Sequence, residues 1–341
     1  MAWLAEVVGR CIVIALAAAT AACGPLDPCD ADTLTAGSFS TCPLPGWDER
    51  PFEIAVPAAA GPRPLLIVLH GGGGDPDGAF AITCPPGEDD APTCLDEQAL
   101  ARGYIVVAPN GTGLRPLRNS RSWNAGGGND DYYCSTGAAC HAGVDDLHYF
   151  DDLLAAVGAI ANYERDRVYV TGFSNGSSMS HRLACQRSSV ITAVAPVSGP
   201  NQHAESGGAC DASVPLLHIH GTEDPCAPWQ DATDASCSVA TLRGLKVGVP
   251  RTIEGWRVRN GCDDTSSEAN IVDVDPGDGT TAKRESWENC TDDLELIEIE
   301  GGGHTWPGGR QYLDVGSIGR LNRDFNASET ILNFFDAHPT P

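Results

Sequence analysis

The sequence predicts an α/β fold: a mostly parallel central sheet with helices on both faces, rich in disulfides. Three observations carry that expectation. Six short apolar runs recur along the chain, helical patterns lie between them, and one run ends in a serine flanked by glycines. Strands that alternate with helices lie parallel and are covered on both faces.

The chain of 341 residues opens with "MAWLAEVVGRCIVIALAAATAAC". The apolar run from Cys11 to Ala22 is too short to span a bilayer and ends in small residues, as a secretion signal does. Residues 1–22 are therefore expected to be a signal peptide. The small residues before Cys23, with Gly24 after it, also resemble a lipoprotein signal, although Thr20 stands where leucine is usual. A lipid on Cys23 would be the protein's link to a membrane. Residues 23–50, rich in Pro, Asp and Thr, are expected to form a linker tied down by Cys29 and Cys42. Residues 51–341 are expected to form one catalytic domain with its own core.

Glu6 and Arg10 cancel, so loss of the signal leaves the formal net charge at -25. That acidity argues against nucleic acids and anionic membrane surfaces as partners. The expected protein is an extracellular or cell-surface monomer.

"PFEIAVP" alternates like an edge strand. After it come "LLIVLHG" (65–71), "YIVVAPNG" (104–111), "RVYVTGFS" (167–174), "ITAVAPVSG" (191–199), "PLLHIHG" (215–221) and "LELIEIEG" (294–301). These runs are apolar at successive positions and too short for helices, as expected of strands buried on both faces. "VDDLHYFDDLLAAVGAIANY" predicts a helix with Asp145 as N-cap and Leu147, Phe150, Leu154, Val157 and Ala161 on its inner face. "SNGSSMSHRLACQ" predicts a second helix. "NASETILNFFDAH" predicts a third, with Asn326 and Glu329 spaced as in a capping box. Residues 270–290 predict a strand-turn-strand insertion. Its "DVDPGDG" has the wrong carboxylate spacing for a calcium loop, and Arg284 stands where the closing glutamate would be.

Twelve cysteines remain without Cys11 and Cys23. An even set in an exported chain points to disulfides, and the absence of C-x-x-C argues against zinc. Nearest-neighbour pairing would give six local bridges, Cys262–Cys290 among them, although sequence does not fix connectivity.

Gly172, Phe173, Ser174, Asn175 and Gly176 form G-x-S-x-G between a predicted strand and a predicted helix. A sharp turn there needs residues without bulk on both sides of the serine, and it holds the serine oxygen clear of the sheet. The Asn175 N–H would then face a developing oxyanion at a helix N-terminus. "LLIVLHGGGGD" supplies a glycine loop after an earlier strand for a second donor. Its G-x-G-x-x-G spacing fails at Asp77, and no Gly-Lys-Ser/Thr follows, so a phosphate loop is disfavoured.

A base and an acid should follow the serine. His304 stands in "EGGGHTWPGG", a glycine-rich loop with no packing reason to carry an imidazole, whereas His218 and His220 lie along a core strand. Asp224 ends the strand "PLLHIHG" and could fix the tautomer of His304. Glu223 and Asp231 are its rivals. Trp306, two residues from His304, is expected to stack on a substrate ring or sugar. Trp123 is a second candidate for substrate contact.

The set "LHGGGG", "APNG", "SWNAGG", "VTGFSNGSSMSHRLAC", "APVSG", "HIHGTEDP", "NGC" and "GGGHTWPG" resembles the secreted polyhydroxybutyrate depolymerase and feruloyl esterase-like family of α/β-hydrolases. The resemblance covers residues 50 to 338 in consistent order. It implies a triad of Ser174, Asp224 and His304, with oxyanion donors at Asn175 and Gly72 and no cofactor. The loop after Trp123 is glycine-rich and lacks the aromatic run of many polyester depolymerases. Trp229 stands where relatives often have tyrosine. The expected substrate is a soluble feruloyl-type or related polysaccharide-linked ester. Polyester depolymerase, acetylxylan esterase and a catalytically silent surface-binding protein are the alternatives.

Overall fold

Each of the six apolar runs forms a strand, and together they make the parallel centre of one large sheet. The computed structural model describes residues 28–113, 121–129, 131–134, 138–233, 236–237, 240–241 and 244–339. The expected signal segment and Cys23 lie outside the described residues. In chain order the sheet strands are β1 (Ser40–Cys42), β2 (Phe52–Ala55), β3 (Arg63–Leu69), β4 (Ile105–Pro109) and β5 (Tyr163–Phe173). They continue as β6 (Ala193–Val197), β7 (Leu216–Gly221), β8 (Ser266–Asn270), β9 (Thr281–Trp287) and β10 (Leu294–Glu300).

The spatial order is β1-β2-β4-β3-β5-β6-β7-β10-β9-β8. From β4 to β10 all neighbours are parallel. Both margins are antiparallel: β1 and β2 on one side, the β8–β9 hairpin on the other. "PFEIAVP" was expected at the edge, but β1 covers it. The described part of the stretch expected as a linker, residues 28–50, is thus built into the fold, with Cys42 and Leu44 buried and the Cys29–Cys42 disulfide tying it down.

Four long helices cover the sheet: α1 (Asp146–Ile160), α2 (Asn175–Gln186), α3 (Val249–Arg259) and α4 (Ala327–Ala337). One face packs Leu65, Ile67, Val168 and Val170 against Leu153, Met179, Leu183 and Trp256. The other packs Leu66, Val68, Tyr169 and Ile297 against Ile331, Leu332 and Phe335. Alternation along β3 and β5 thus feeds two cores, which is why both strands are apolar throughout. No helix among the described residues is long and apolar enough to cross a membrane.

The caps form as the sequence predicts. Asp145 Oδ1 accepts the His148 N–H at 3.1 Å, and Asn326 Oδ1 accepts the Glu329 N–H at 2.8 Å. The inner face of α1 differs from the expectation. Tyr149, Phe150, Leu153 and Val157 are buried, and so is Asp146, while Leu147, Leu154 and Ala161 are only half-buried. Asp146 turns inward because Arg50 meets it there at 2.6 Å. Disulfides among the described residues follow the nearest-neighbour pattern: Cys29–Cys42, Cys84–Cys94, Cys134–Cys140, Cys185–Cys210 and Cys262–Cys290.

The Arg50 guanidinium lies 3.6 Å from the Tyr149 ring centre and donates through Nε to the Asn110 carbonyl at 2.9 Å. Burial pushes the Asp146 carboxyl up, and Arg50 opposes that push. Removing one partner leaves a buried charge uncompensated, which typically costs about 3–5 kcal/mol. Arg50→Ala should therefore lose stability of that order in urea unfolding, and Arg50→Met with Asp146→Leu should recover most of it. A single variant as stable as the parent would show that the pair is not needed.

Candidate active site

Ser174 sits where β5 passes into α2, at φ 57° and ψ −115°. A side-chain-bearing residue rarely adopts this backbone, and it costs of order 1–3 kcal/mol unless its surroundings enforce it. They do so here by close approach. A Cβ on Gly172 would come within 2.7 Å of the Gly176 backbone, and a Cβ on Gly176 within 2.3 Å of the Leu69 carbonyl oxygen. The Ser174 N–H is held by the Val197 carbonyl at 2.9 Å. The two glycines of the motif are thus steric requirements of the elbow. At the end of the neighbouring strand, Ser198 adopts a similar φ of 56°.

Asn175 is the first residue of α2, where a backbone N–H lies outside the helix's own i→i−4 ladder. Its side chain has a separate task that sequence reasoning missed. Oδ1 accepts the Trp123 N–H at 2.6 Å, and Nδ2 donates to the Trp123 carbonyl at 3.1 Å. Trp123 Nε1 in turn donates to the His70 carbonyl at 3.0 Å. The segment around Trp123 therefore straps the glycine loop to the elbow. Asp146 continues the strap by accepting the Asn124 N–H at 2.6 Å.

In the glycine loop, the Gly73 N–H goes to the Arg121 carbonyl at 2.7 Å and the Gly74 N–H to the Gly71 carbonyl at 3.1 Å. Gly72, between Gly71 and Gly73 in sequence, is exposed. The His70 ring locks the loop from below. Its Nε2 accepts the Gly111 N–H at 2.9 Å, so its Nδ1–H donates to the Gly71 carbonyl at 2.8 Å. Burial lowers the His70 pKa to about 4, which keeps this imidazole neutral and its tautomer fixed.

Asp224 and His304 meet on the other side of the elbow. His304 Nδ1 lies 2.7 Å from Asp224 Oδ2, and Asp224 Oδ1 accepts the N–H groups of Cys226 and Ala227, both at 2.7 Å. Burial alone would push the Asp224 carboxyl up, but His304, His220 and the backbone donors together hold it below the usual carboxylate range. The proton of the neutral imidazole therefore sits on Nδ1, and Nε2 is the basic nitrogen. The His304 ring rests against Phe173, centre to centre 4.7 Å, beside Ser174 in sequence. No hydrogen bond joins Ser174 Oγ to His304 Nε2; in unliganded enzymes such contacts are often long and tighten with substrate.

The rival acids are occupied elsewhere. Glu223 pairs with Arg320 on the surface at 3.1 Å, and Asp231 pairs with Arg251 at 3.3 Å and accepts the Gly248 N–H. His181, His218 and His220 are buried, and burial lowers all three below their ordinary pKa.

The expectation that Trp306 and Trp123 offer ring faces to substrate is corrected. Trp306 is 1% exposed and Trp123 is fully buried. Trp306 Nε1 donates to Ser328 Oγ at 3.1 Å at the start of α4, and its ring packs in the second core. The Gly/Pro-rich loop looked unable to bury a tryptophan, but α4 folds over it. Trp229 is half-buried and lies edge-on to the His220 ring at 6.1 Å.

No family model matches the chain. It is 26% identical over 284 residues to NocK of Nocardia uniformis subsp. tsuyamanensis, whose name assigns it provisionally to the esterases; the match covers 82% of this chain and 75% of NocK. It is 25% identical over 256 residues to feruloyl esterase B of Piromyces equi, covering 74% of this chain and 41% of that one. It is 27% identical over 183 residues to a bifunctional acetylxylan esterase/xylanase of Neocallimastix patriciarum, covering 53% of this chain and 22% of that one. The chain thus spans less than half of the latter two relatives. Among solved structures, acetyl xylan esterase from Aspergillus awamori superposes with a TM-score of 0.50 at 16% identity, over 79% of this chain and 94% of that one. The chain thus has the α/β-hydrolase fold, and the sequence relatives it matches carry esterase names.

Burial of Trp306 generates a prediction. Trp306→Ala should lower kcat/KM by the same factor for feruloyl and acetyl esters, because the ring supports the His304 loop and meets no substrate. It should also cost about 3–5 kcal/mol of stability, as truncation of a buried aromatic does. A loss confined to the feruloyl ester would restore the stacking role.

Proposed function

We propose that this α/β-hydrolase is an exported serine carboxylesterase acting on feruloyl-type or acetyl esters of polysaccharides. Ser174 is the nucleophile, His304 the base and Asp224 its orienting acid. The observation that carries this reading is the 2.7 Å contact of His304 Nδ1 with a buried Asp224, on a loop packed beside the strained elbow.

In the proposed reaction Ser174 Oγ attacks the ester carbonyl carbon while His304 Nε2 takes its proton. The imidazolium keeps its Nδ1–H on Asp224, whose low proton affinity leaves the proton on the ring. Charge on the carbonyl oxygen develops toward the Asn175 and Gly72 N–H groups, and the positive end of α2 adds to their effect. Collapse of the tetrahedral intermediate expels the alcohol, which receives the proton from His304 Nε2. Water then repeats the sequence on the acyl-enzyme and releases the acid.

The relatives' names support aryl and acetyl esters of plant polysaccharide as the substrate class. Export is supported by the five disulfides among the described residues, which form and persist in oxidising compartments. With Trp306 and Trp123 buried, recognition of an acyl ring passes to other walls of the cleft.

Ser174→Ala should keep the fold by circular dichroism and lose activity on feruloyl and acetyl esters by on the order of 10⁴-fold or more. A phosphonate directed at serine hydrolases should label Ser174 in the parent and leave the variant unlabelled. A variant that hydrolyses at the parent's rate would remove Ser174 from the mechanism. Rapid clearing of hydroxybutyrate granules with little turnover of soluble esters would overturn the substrate class.

A further inference from the structure

Beneath the turn that carries Asp224 lies a buried lysine that the reaction above does not use. Lys246 is 8% exposed, and its Nζ donates to the Cys226 carbonyl. That carbonyl shares one peptide plane with the Ala227 N–H, which donates to Asp224 Oδ1 at 2.7 Å. The ammonium and the carboxylate are therefore joined through a single peptide unit. A second buried base holds the next carbonyl: His220 Nε2 donates to the Ala227 oxygen at 2.7 Å and lies 3.6 Å from Asp224 Oδ2. His220 is held in that tautomer because its Nδ1 accepts from His218 Nε2 at 3.0 Å.

We propose that Lys246 is a positioning residue for the catalytic acid, polarising the Cys226–Ala227 peptide so that its N–H fixes and stabilises the Asp224 carboxylate. The proposal rests on the triad reading and adds to it a source for the acid's low proton affinity. A carbonyl that accepts from a cation makes its own N–H a better donor, because polarisation is cooperative along a chain of hydrogen bonds. Hydrogen bonds to ionised groups are also stronger than neutral ones. Burying an ammonium here is costly, and an aliphatic residue would fill the same space without that cost. The contact is explained by what lies one peptide away.

The groups facing this centre are few. Asp224 is faced by His304, His220, Lys246 and the phenol of Tyr312, whose pKa burial pushes upward. Lys246 is faced by Asp224, by His220 and by the Tyr133 ring at 5.7 Å. His218 stands behind His220. Burial lowers the Lys246 pKa to about 8, and Asp224 opposes that fall. The ammonium is thus present below about pH 8 and lost above it. With the cation present, the Asp224–His304 pair binds a further proton less readily; without it, the pair is more basic and less well held.

The test compares the full chain with Lys246→Met, a change of similar length and volume, on a soluble acetyl ester from pH 5 to 9.5. The variant should lose on the order of tenfold in kcat/KM at pH 7. Its acid limb should move to higher pH, and the limb near pH 8 in the parent should vanish. Parent rates, or lower rates with both limbs unmoved, would overturn the proposal, since a merely structural lysine would leave the limbs in place. A second measurement needs no variant: the low-field Nδ1–H resonance of His304 in the parent should shift with a midpoint near pH 8. A resonance that is flat through that range would also overturn the proposal. If Ser174→Ala remains active, the triad reading fails; if it is inactive while Lys246→Met behaves as the parent, only the role of Lys246 fails.

Discussion

The structure depends on the clamp that Asn175 places on Trp123. An oxyanion site built from two loops works only if their separation is fixed before substrate arrives, because donors that must reorganise lose their electrostatic advantage. In the proposed reaction Asn175 supplies one N–H, and its side chain grips both backbone polar atoms of Trp123. Trp123 grips the His70 carbonyl at the root of the glycine loop, and the neutral His70 ring pins the same loop to Gly111. Arg50 and Asp146 then hold the strap from outside, with Asp146 bonded to Asn124. Glycines give the loop room for a carbonyl, and the strap removes the freedom that glycines would otherwise bring.

The acid-base half is held by different means. His304 is carried on a loop whose Gly303 and His304 N–H groups bond to Arg320 and Ile318, and Tyr312 donates to the His304 carbonyl at 3.2 Å. Trp306 anchors the loop in the core beneath α4. Hydrogen bonding here sets orientation, whereas buried charge sets proton affinity. Burial disfavours protonation of the histidines behind Asp224, so His220 holds the Ala227 carbonyl, and His218 holds His220, without a charge that would compete with His304.

Much of this was legible in the sequence because it follows from local rules. Strands buried on both faces must be apolar throughout, so the six parallel strands stood out. The elbow was legible because Gly172 and Gly176 have backbone neighbours where a Cβ would go. That Asp224 and His304 would meet was legible from their place after neighbouring strands and from the family resemblance. What escaped notice depends on contacts between distant segments. The inner face of α1 turned with Asp146, whose partner Arg50 lies in a stretch that composition presented as a linker. Lys246 was not singled out, since nothing near it in sequence announces the Cys226 carbonyl. Trp306 was misread as a substrate contact because the helix that covers it begins only at Ala327, far from it in sequence.

The burial of both tryptophans also changes where specificity must reside. A ring spent on holding the strap or the base loop cannot discriminate acyl groups; changing it alters every substrate alike. Discrimination then falls to side chains that border the cleft without holding the triad or the oxyanion loops. Trp229 keeps part of its surface in solvent and lies edge-on to His220, which neighbours Asp224. It is separated from Asp224 by a proline-flanked turn whose carbonyls are already fixed by Lys246 and His220. A substitution at Trp229 can therefore change a partly exposed surface near the acid while the acid stays in place, a freedom that Trp306 and Trp123 do not have.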